Sequence, residues 1–513
     1  MITILILAVA VALLAWSFYR ARPFGKLGIL AWLQSVVLML PWLAFFGLFG
    51  LGIYLNLAGV LFLLLVSIVL YIVLGKQLRA VAEREGGKSF SSLTSSKAPE
   101  GSAPDVSAVE LSPSEQPGSE PTDSAASAPR SLDAKKTPAA FPQIPNEDLI
   151  AIKGIFGIDT FFATETIPYQ NGVIFRGNLR GEPAAAHQQL TAILNERMGD
   201  RYRLFLVEGV EDKPVVVVLP SANDPKPASL AQKILAIVLA LATVATSLEV
   251  GGLMQGFDVF SEPNRIGEVL PIAAGILGVL ITHEIGHRVL AARYQVRLSP
   301  PFFIPTWQIG SFGGLFRFES ILPNRTVLFD IAFAGPAAGG LVALIMLITG
   351  LLLSHPGSLF QVPTEFFQGS ILVGALARVV LGDAVQADIV SVHPLVILGW
   401  LGLVITAINL MPAGQLDGGR IVQAIYGRKT AGRTTVATLI VLGLAALVNP
   451  LSLYWAIVIL FLQRDLERPA LNELTEPDDA RAALGLLILF LMAATLLPLT
   501  PSLAGRLGIG GQF

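Results

Sequence analysis

The sequence predicts a polytopic α-helical membrane protein with a small soluble α/β domain and a disordered linker. Three observations predict it. The 513 residues are 53% hydrophobic and only 14% charged, whereas a soluble surface needs more charge. Apolar stretches of membrane-spanning length open the chain and fill its second half. Between them, a Ser/Pro-rich tract is followed by a short segment patterned like strands and helices.

The elements follow in order. Residues 1–80 carry apolar stretches near 2–18, 28–48 and 52–75. The first is read as a signal anchor or first span, because Arg20, Arg22 and Lys26 follow the apolar run and no small-residue cleavage site is apparent. Residues 86–142 are rich in Ser, Pro, Ala and Gly without apolar periodicity, the composition of a disordered spacer. Residues 145–222 read as the α/β domain. LIAIKGIF and EPAAAHQQLTAILNERM are its helices, and VIFRG, YRLFLVE and KPVVVVLP its strands. Residues 229–500 form the membrane core, with spans expected near 230–248, 266–292, 327–353, 394–412, 434–448, 451–463 and 483–499. The region interrupted at Asn449-Pro450 is read as two short spans or a re-entrant pair.

Net charge is −2 and no basic stripe stands out, so no nucleic-acid partner is expected. The chain has no cysteine, so any metal must be held by nitrogen or oxygen. Counting spans places nearly every basic cluster on one side of the membrane: Arg20 to Lys26, Lys76 and Arg79, Arg288 to Arg297, Arg420 to Arg433, and Arg464 and Arg468. That side is read as cytoplasmic, and it also holds the linker and the α/β domain.

Chemistry concentrates in the second core span, IAAGILGVLITHEIGHRVLAARY. His283 and His287 are four residues apart, so on a helix they share one face, one turn from each other. Glu284 beside them is placed to act as a general base, which is the H-E-x-x-H arrangement of zinc peptidases. Ionisable groups at membrane depth cost about 2.5 kcal/mol or more each, so three in one turn call for a compensating divalent ion. Two ligands are too few for a catalytic site. His187, His355 and His393 are poorly located to supply the third. Asp417, in NLMPAGQLDGGR (409–420), lies at the inner end of the span near 394–412, where Pro412 and three glycines break the helix. It is read as the third ligand, the alternative being a loop Asp that caps the next helix. Zn2+ is the expected metal for two His and one carboxylate.

HEIGH together with NLMPAGQLDGG resembles the site-2 protease family of intramembrane zinc metalloproteases. The resemblance implies that His283, His287 and Asp417 bind the metal, that Glu284 is catalytic, and that Asn409 and Pro412 support the motif. FAGPAAGG (333–340) is similar to the small-residue segment of the family's middle core helix. GNLRG (177–181) and LSPPFFIPTWQIGSFGG (298–314) resemble the plant and cyanobacterial branch, whose chloroplast members are the ethylene-dependent gravitropism-deficient and yellow-green proteins. That branch includes members without the metal motif, and this chain keeps every catalytic position.

The implied function is an endopeptidase that cuts membrane-spanning protein substrates near the cytoplasmic or stromal side. Self-association is left open. An integral, multi-pass location is expected, in a cyanobacterial plasma or thylakoid membrane rather than a chloroplast one. Residues 298–320 alternate Pro, aromatic and Gly residues and suggest a hairpin or re-entrant loop. It serves either for strand addition to substrate or as a membrane-surface loop anchored by Phe302, Phe303 and Trp307. Arg180 in GNLRG is read as a turn residue pairing with a nearby acid, and the α/β domain as a gate or substrate selector. The rival readings are a non-proteolytic chaperone or scaffold derived from such a protease, and a transporter. The intact motif weighs against the first, and the isolation of the charged cluster against the second.

Overall fold

A computed structural model describes residues 144–510 apart from 170, 210–212 and 448, together with scattered positions between 18 and 77. The chain divides into two compact units, Met1–Leu132 and Asp133–Phe513. In the first unit, described positions such as Phe18, Trp32 and Val37 are helical. The three spans expected there fall mostly outside the described residues, and the 86–142 linker wholly so.

The second unit begins with the α/β domain. Helix α1 (Asn146–Lys153) leads into strands β1 (Phe161–Tyr169) and β2 (Gly172–Leu179), helix α2 (Pro183–Met198), and strands β3 (Tyr202–Glu208) and β4 (Pro214–Pro220). The strands form one antiparallel sheet in the order β1-β2-β4-β3. Strand β1 was not expected. Its sequence FFATETIPY mixes polar residues with Pro168, and its register slips between Ala163 and Glu165, so no clean two-residue alternation marks it. Helix α2 starts where Pro183 takes the first position and the Glu182 side chain accepts from the Ala185 amide. Its buried residues Ala186, Leu190, Leu194 and Met198 recur every four positions, so one stripe packs on one face of the sheet, against Phe175, Leu204 and Val218.

The membrane core contains α3 (Leu230–Leu253), α4 (Ile266–Arg293), the hairpin β5 (Phe302–Thr306) and β6 (Gly310–Leu315), and α5 (Arg325–Leu353). Beyond these come β7 (Phe360–Pro363), α6 (Ile371–Leu381), β8 (Ile389–Val392), α7 (Pro394–Asn409), α8 (Asp417–Ala445), α9 (Pro450–Val458) and α10 (Asp479–Leu496). Among the described residues four helices are long and apolar enough to cross a membrane: Leu230–Leu253, Pro263–Arg293, Arg325–Leu353 and Asp479–Leu496. Side-chain caps set the starts of three of them: Ser229 and Gln232 form a reciprocal box at α3, Asn324 caps α5 and Asp478 caps α10.

Two expected spans differ. The one near 394–412 stops at Asn409, because the Pro- and Gly-rich sequence after it leaves the helix. The one near 434–448 is the tail of α8, which begins at Asp417 and breaks at Gly427, whose φ of 78° is left-handed. The hairpin expected over 298–320 forms as β5–β6. The β7–β8 pair and α6 between them were not anticipated.

Helix α4 lies directly on α5. A Cβ at Gly286 would come within 2.4 Å of the Ala334 carbonyl oxygen, so a small residue is required for this approach. The α/β domain is tied to the core by backbone. The Leu206 amide of β3 donates to the Leu471 carbonyl at 2.7 Å, the Glu473 amide donates to the Leu206 carbonyl at 2.9 Å, and the Leu471 amide donates to Leu322 at 2.9 Å. Segment 471–473 thereby joins the sheet edge to the loop that precedes α5.

Candidate metal centre

Helix α4 supplies His283, Glu284 and His287, and all three are buried. Asp417 arrives from the break between α7 and α8. Leaving α7, the chain turns at Gly414, which has a φ of 49° and stands where a Cβ would fall 1.5 Å from the Gln463 carbonyl oxygen. Asp417 is then the first residue of α8. It makes no capping hydrogen bond, since the cap position belongs to Leu416, so the alternative of a structural helix cap has no support in the geometry.

Asp417 Oδ2 lies 3.1 Å from His283 Nε2 and 3.3 Å from His287 Nε2. His283, His287 and Asp417 form the group among the described residues that could hold a metal ion. Donors about 2.1 Å from one tetrahedral ion stand about 3.4 Å from one another, close to these separations. The other ring nitrogen gives a second test. His287 Nδ1 lies 2.7 Å from the Ile331 carbonyl oxygen. A carbonyl only accepts, so Nδ1 carries the hydrogen and Nε2 presents its lone pair. That lone pair faces a carboxylate oxygen among buried side chains. Two acceptors in such contact need a cation or a proton between them, and two imidazoles with a carboxylate are a donor set that suits zinc.

The surroundings brace these groups. Arg288 Nη2 approaches Glu284 Oε1 at 2.6 Å as an ion pair without hydrogen-bond alignment. Arg420, one turn after Asp417, is 2% exposed. It binds Glu467 at 3.0 Å, donates to the Phe316 carbonyl at 2.8 Å and lies over the rings of Phe316 and Phe318. The Phe316 ring in turn packs on His287, with centroids 4.7 Å apart. Asn409 donates to the carbonyls of Phe312 and Ile405 at 2.9 and 2.8 Å, fastening β6 to the end of α7. Pro412 sits in the turn, where its carbonyl accepts from Thr438.

The structure therefore brings His283, His287, Asp417 and Glu284 together and places Asn409 and Pro412 beside them. The remaining histidines lie elsewhere. His187 contacts the Leu204 carbonyl, His355 is exposed and His393 caps α7. Arg180 is exposed and enters no ion pair among the described residues, unlike the expected paired turn residue; its amide donates to Thr160. Sequence reasoning missed Arg420, Glu467 and Phe316. Arg420 was counted only among the basic residues on the cytoplasmic side, and its spacing of three from Asp417 was the available signal.

Comparison with known proteins adds two family models and several relatives. Residues 150–226 match the EGY3 middle domain, and residues 271–449 match peptidase family M50. The chain is 39% identical to the protein named probable zinc metalloprotease EGY2, chloroplastic, of Arabidopsis thaliana, over 69% of this chain and 66% of that protein. It is 38% identical to probable zinc metalloprotease EGY1, chloroplastic, of the same plant, over 69% and 72%. Identity to EGY1 of Oryza sativa subsp. japonica is 37%, over 72% and 70%. The chain thus spans about two thirds of these relatives, just under that for EGY2. No solved structure matches significantly.

Proposed function

Because the chain belongs to the M50 family of zinc metalloproteases, we propose that it is an intramembrane endopeptidase acting on membrane-spanning proteins. The observation that carries this reading is the convergence of three buried donors, two histidine nitrogens from a helix of membrane-crossing length and one carboxylate oxygen from the start of α8. In it, His283, His287 and Asp417 hold zinc, and Glu284 is the general base. Residues 229–500 are the protease core and 145–222 an accessory domain.

Bound zinc would supply Lewis-acid polarisation of the scissile carbonyl and would lower the pKa of the attacking water toward about 7. The chain's own residues do the rest. Glu284 takes the proton of the attacking water and returns it to the departing amine. Arg288 steadies the Glu284 carboxylate, and the Ile331 carbonyl fixes the His287 tautomer. Asn409 and Pro412 shape the turn that delivers Asp417. A helical substrate hides its peptide bonds in its own hydrogen bonds, so it must unwind. The β5–β6 hairpin offers a strand edge on which the unwound segment can lie.

Cleavage falls near the cytoplasmic or stromal face, on the side carrying the basic clusters. The relatives' names place them in the chloroplast, and a thylakoid membrane is the location this suggests. Nothing in the comparisons bears on a cyanobacterial origin. The intact donor set argues against a scaffold that has lost its chemistry. The reading is tested by reconstituting purified protein in liposomes with single-span membrane substrates. Cleavage that a chelator stops and zinc restores supports it; cleavage indifferent to chelation contradicts it.

A further inference from the structure

The geometry points to a second binding site, outside the metal centre, that takes an extended acidic peptide segment flanking the transmembrane part of a substrate. The inference rests on the protease reading for the identity of its ligand, but on separate residues. Alternate residues of a strand face opposite sides. In β3 and β4, Leu204, Leu206, Val216 and Val218 face α2 and are buried. The opposite face of an antiparallel sheet is ordinarily polar where it meets water. Here it carries Ile174, Phe205, Val207, Val217 and Leu219, and these line a cavity of about 680 Å³ between the sheet and the core.

The far wall of the cavity includes Phe318, Gln415 and Glu467. Phe318 and Glu467 are the residues that hold Arg420 beside Asp417, and Gln415 is in the turn that delivers Asp417. The cavity and the metal centre therefore share a wall. Lys226, Arg317 and Arg468 are exposed lining residues, and none has an acidic partner among the described ion pairs. The acidic lining residues are already engaged, Asp224 by Arg203 and Glu467 by Arg420. Among the described residues, unpaired charge at the rim is thus positive.

Position matches this chemistry. Lys226 lies in the segment leading into α3 and Arg317 in the segment between β6 and α5, both helices of membrane-crossing length, so the rim lies on segments by which chain enters the apolar core. A substrate whose span occupies the metal centre would carry its flank past this rim. Apolar side chains of an extended flank would cover the sheet face, and intervening acidic ones would meet the rim cations. An anionic lipid headgroup would satisfy the cations and leave the sheet face uncovered, so the peptide fits better.

The test is binding to the full chain carrying Glu284→Gln in nanodiscs of neutral lipid, where cleavage plays no part. The probe is a fluorescein-labelled peptide of Val, Leu and Glu residues, beside its counterpart with Lys for Glu, read by anisotropy. The acidic peptide is expected to bind more tightly. Reversing Lys226, Arg317 and Arg468 together to Glu should weaken it on the order of tenfold and invert the preference. Phe205→Ser should weaken the acidic peptide without inverting the preference. Equal binding of the two peptides, or indifference to charge reversal, would overturn the site. Charge reversal that abolishes binding to anionic vesicles while peptide binding persists would assign the rim to lipid instead. Failure of the protease reading would leave these results untouched, because none depends on turnover.

Discussion

His287 Nδ1 donates to the Ile331 carbonyl oxygen at 2.7 Å, and that bond decides what His287 Nε2 offers to Asp417. It links α4 to the backbone of α5, so the donor geometry depends on how closely the two helices approach. Gly335, one turn beyond Ile331, sets that approach: a Cβ there would fall 2.1 Å from His287 Nε2.

Gly335→Ala should therefore displace the His287 ring while both helices persist. Loss of outer-shell orientation typically costs about 10–100-fold in metal affinity, and a loss of at least that order is expected. Zinc titration with helix content followed by circular dichroism checks it. Unchanged affinity would mean the ring is not held where the metal reading needs it.

The Arg420–Glu467 pair is buried at 2% and 6% exposure. Glu467→Leu removes the nearer of two acids from the buried Arg420 guanidinium, Asp417 standing 3.8 Å away, and should destabilise the core by about 3–5 kcal/mol. The double substitution Arg420→Leu with Glu467→Leu should recover much of that stability. Denaturation in detergent of the two singles and the double gives the coupling. Additive losses would show that the pair is not a unit.

Asn409→Ala removes two hydrogen bonds, to Phe312 and Ile405, at about 1 kcal/mol each. The Phe312 bond fastens the hairpin, so amide exchange should quicken over β6 more than in α5. Equal exchange in both would contradict the pinning role.

The α/β domain carries its own pH dependence. Burial pushes the His187 imidazole below its ordinary 6.5, partly offset by its bond to Leu204. The unfolded domain then binds a proton more readily than the folded one, so stability falls as pH drops below about 6.5. Exchange protection of α2 and the sheet should decline over that interval and decline less in His187→Gln. A decline of equal size in both would remove His187 as the cause.

Much of the site was legible because it is written locally. Two histidines and a glutamate within five residues of an apolar run advertise a helix face, and a Pro- and Gly-rich break after an apolar run marks the turn that delivers Asp417. What escaped notice depends on distant partners. Arg420 looks like any basic residue after a span until Glu467, far along the chain, buries it. Strand β1 lacks alternation because a register slip interrupts its pairing. Helix α8 was cut short because its first turns, DGGRIVQAIYGRK, are too polar to read as membrane helix, although they pack beside the metal centre.

The central claim separates metal binding from proton transfer, and one measurement tests that separation. Wild-type, Glu284→Gln and Asp417→Ala proteins are reconstituted with a single-span substrate, and cleavage and bound zinc are quantified in each. The account predicts cleavage by the wild type alone, zinc retained in Glu284→Gln and zinc lost from Asp417→Ala. Full zinc occupancy in Asp417→Ala, or cleavage persisting in Glu284→Gln, would contradict it.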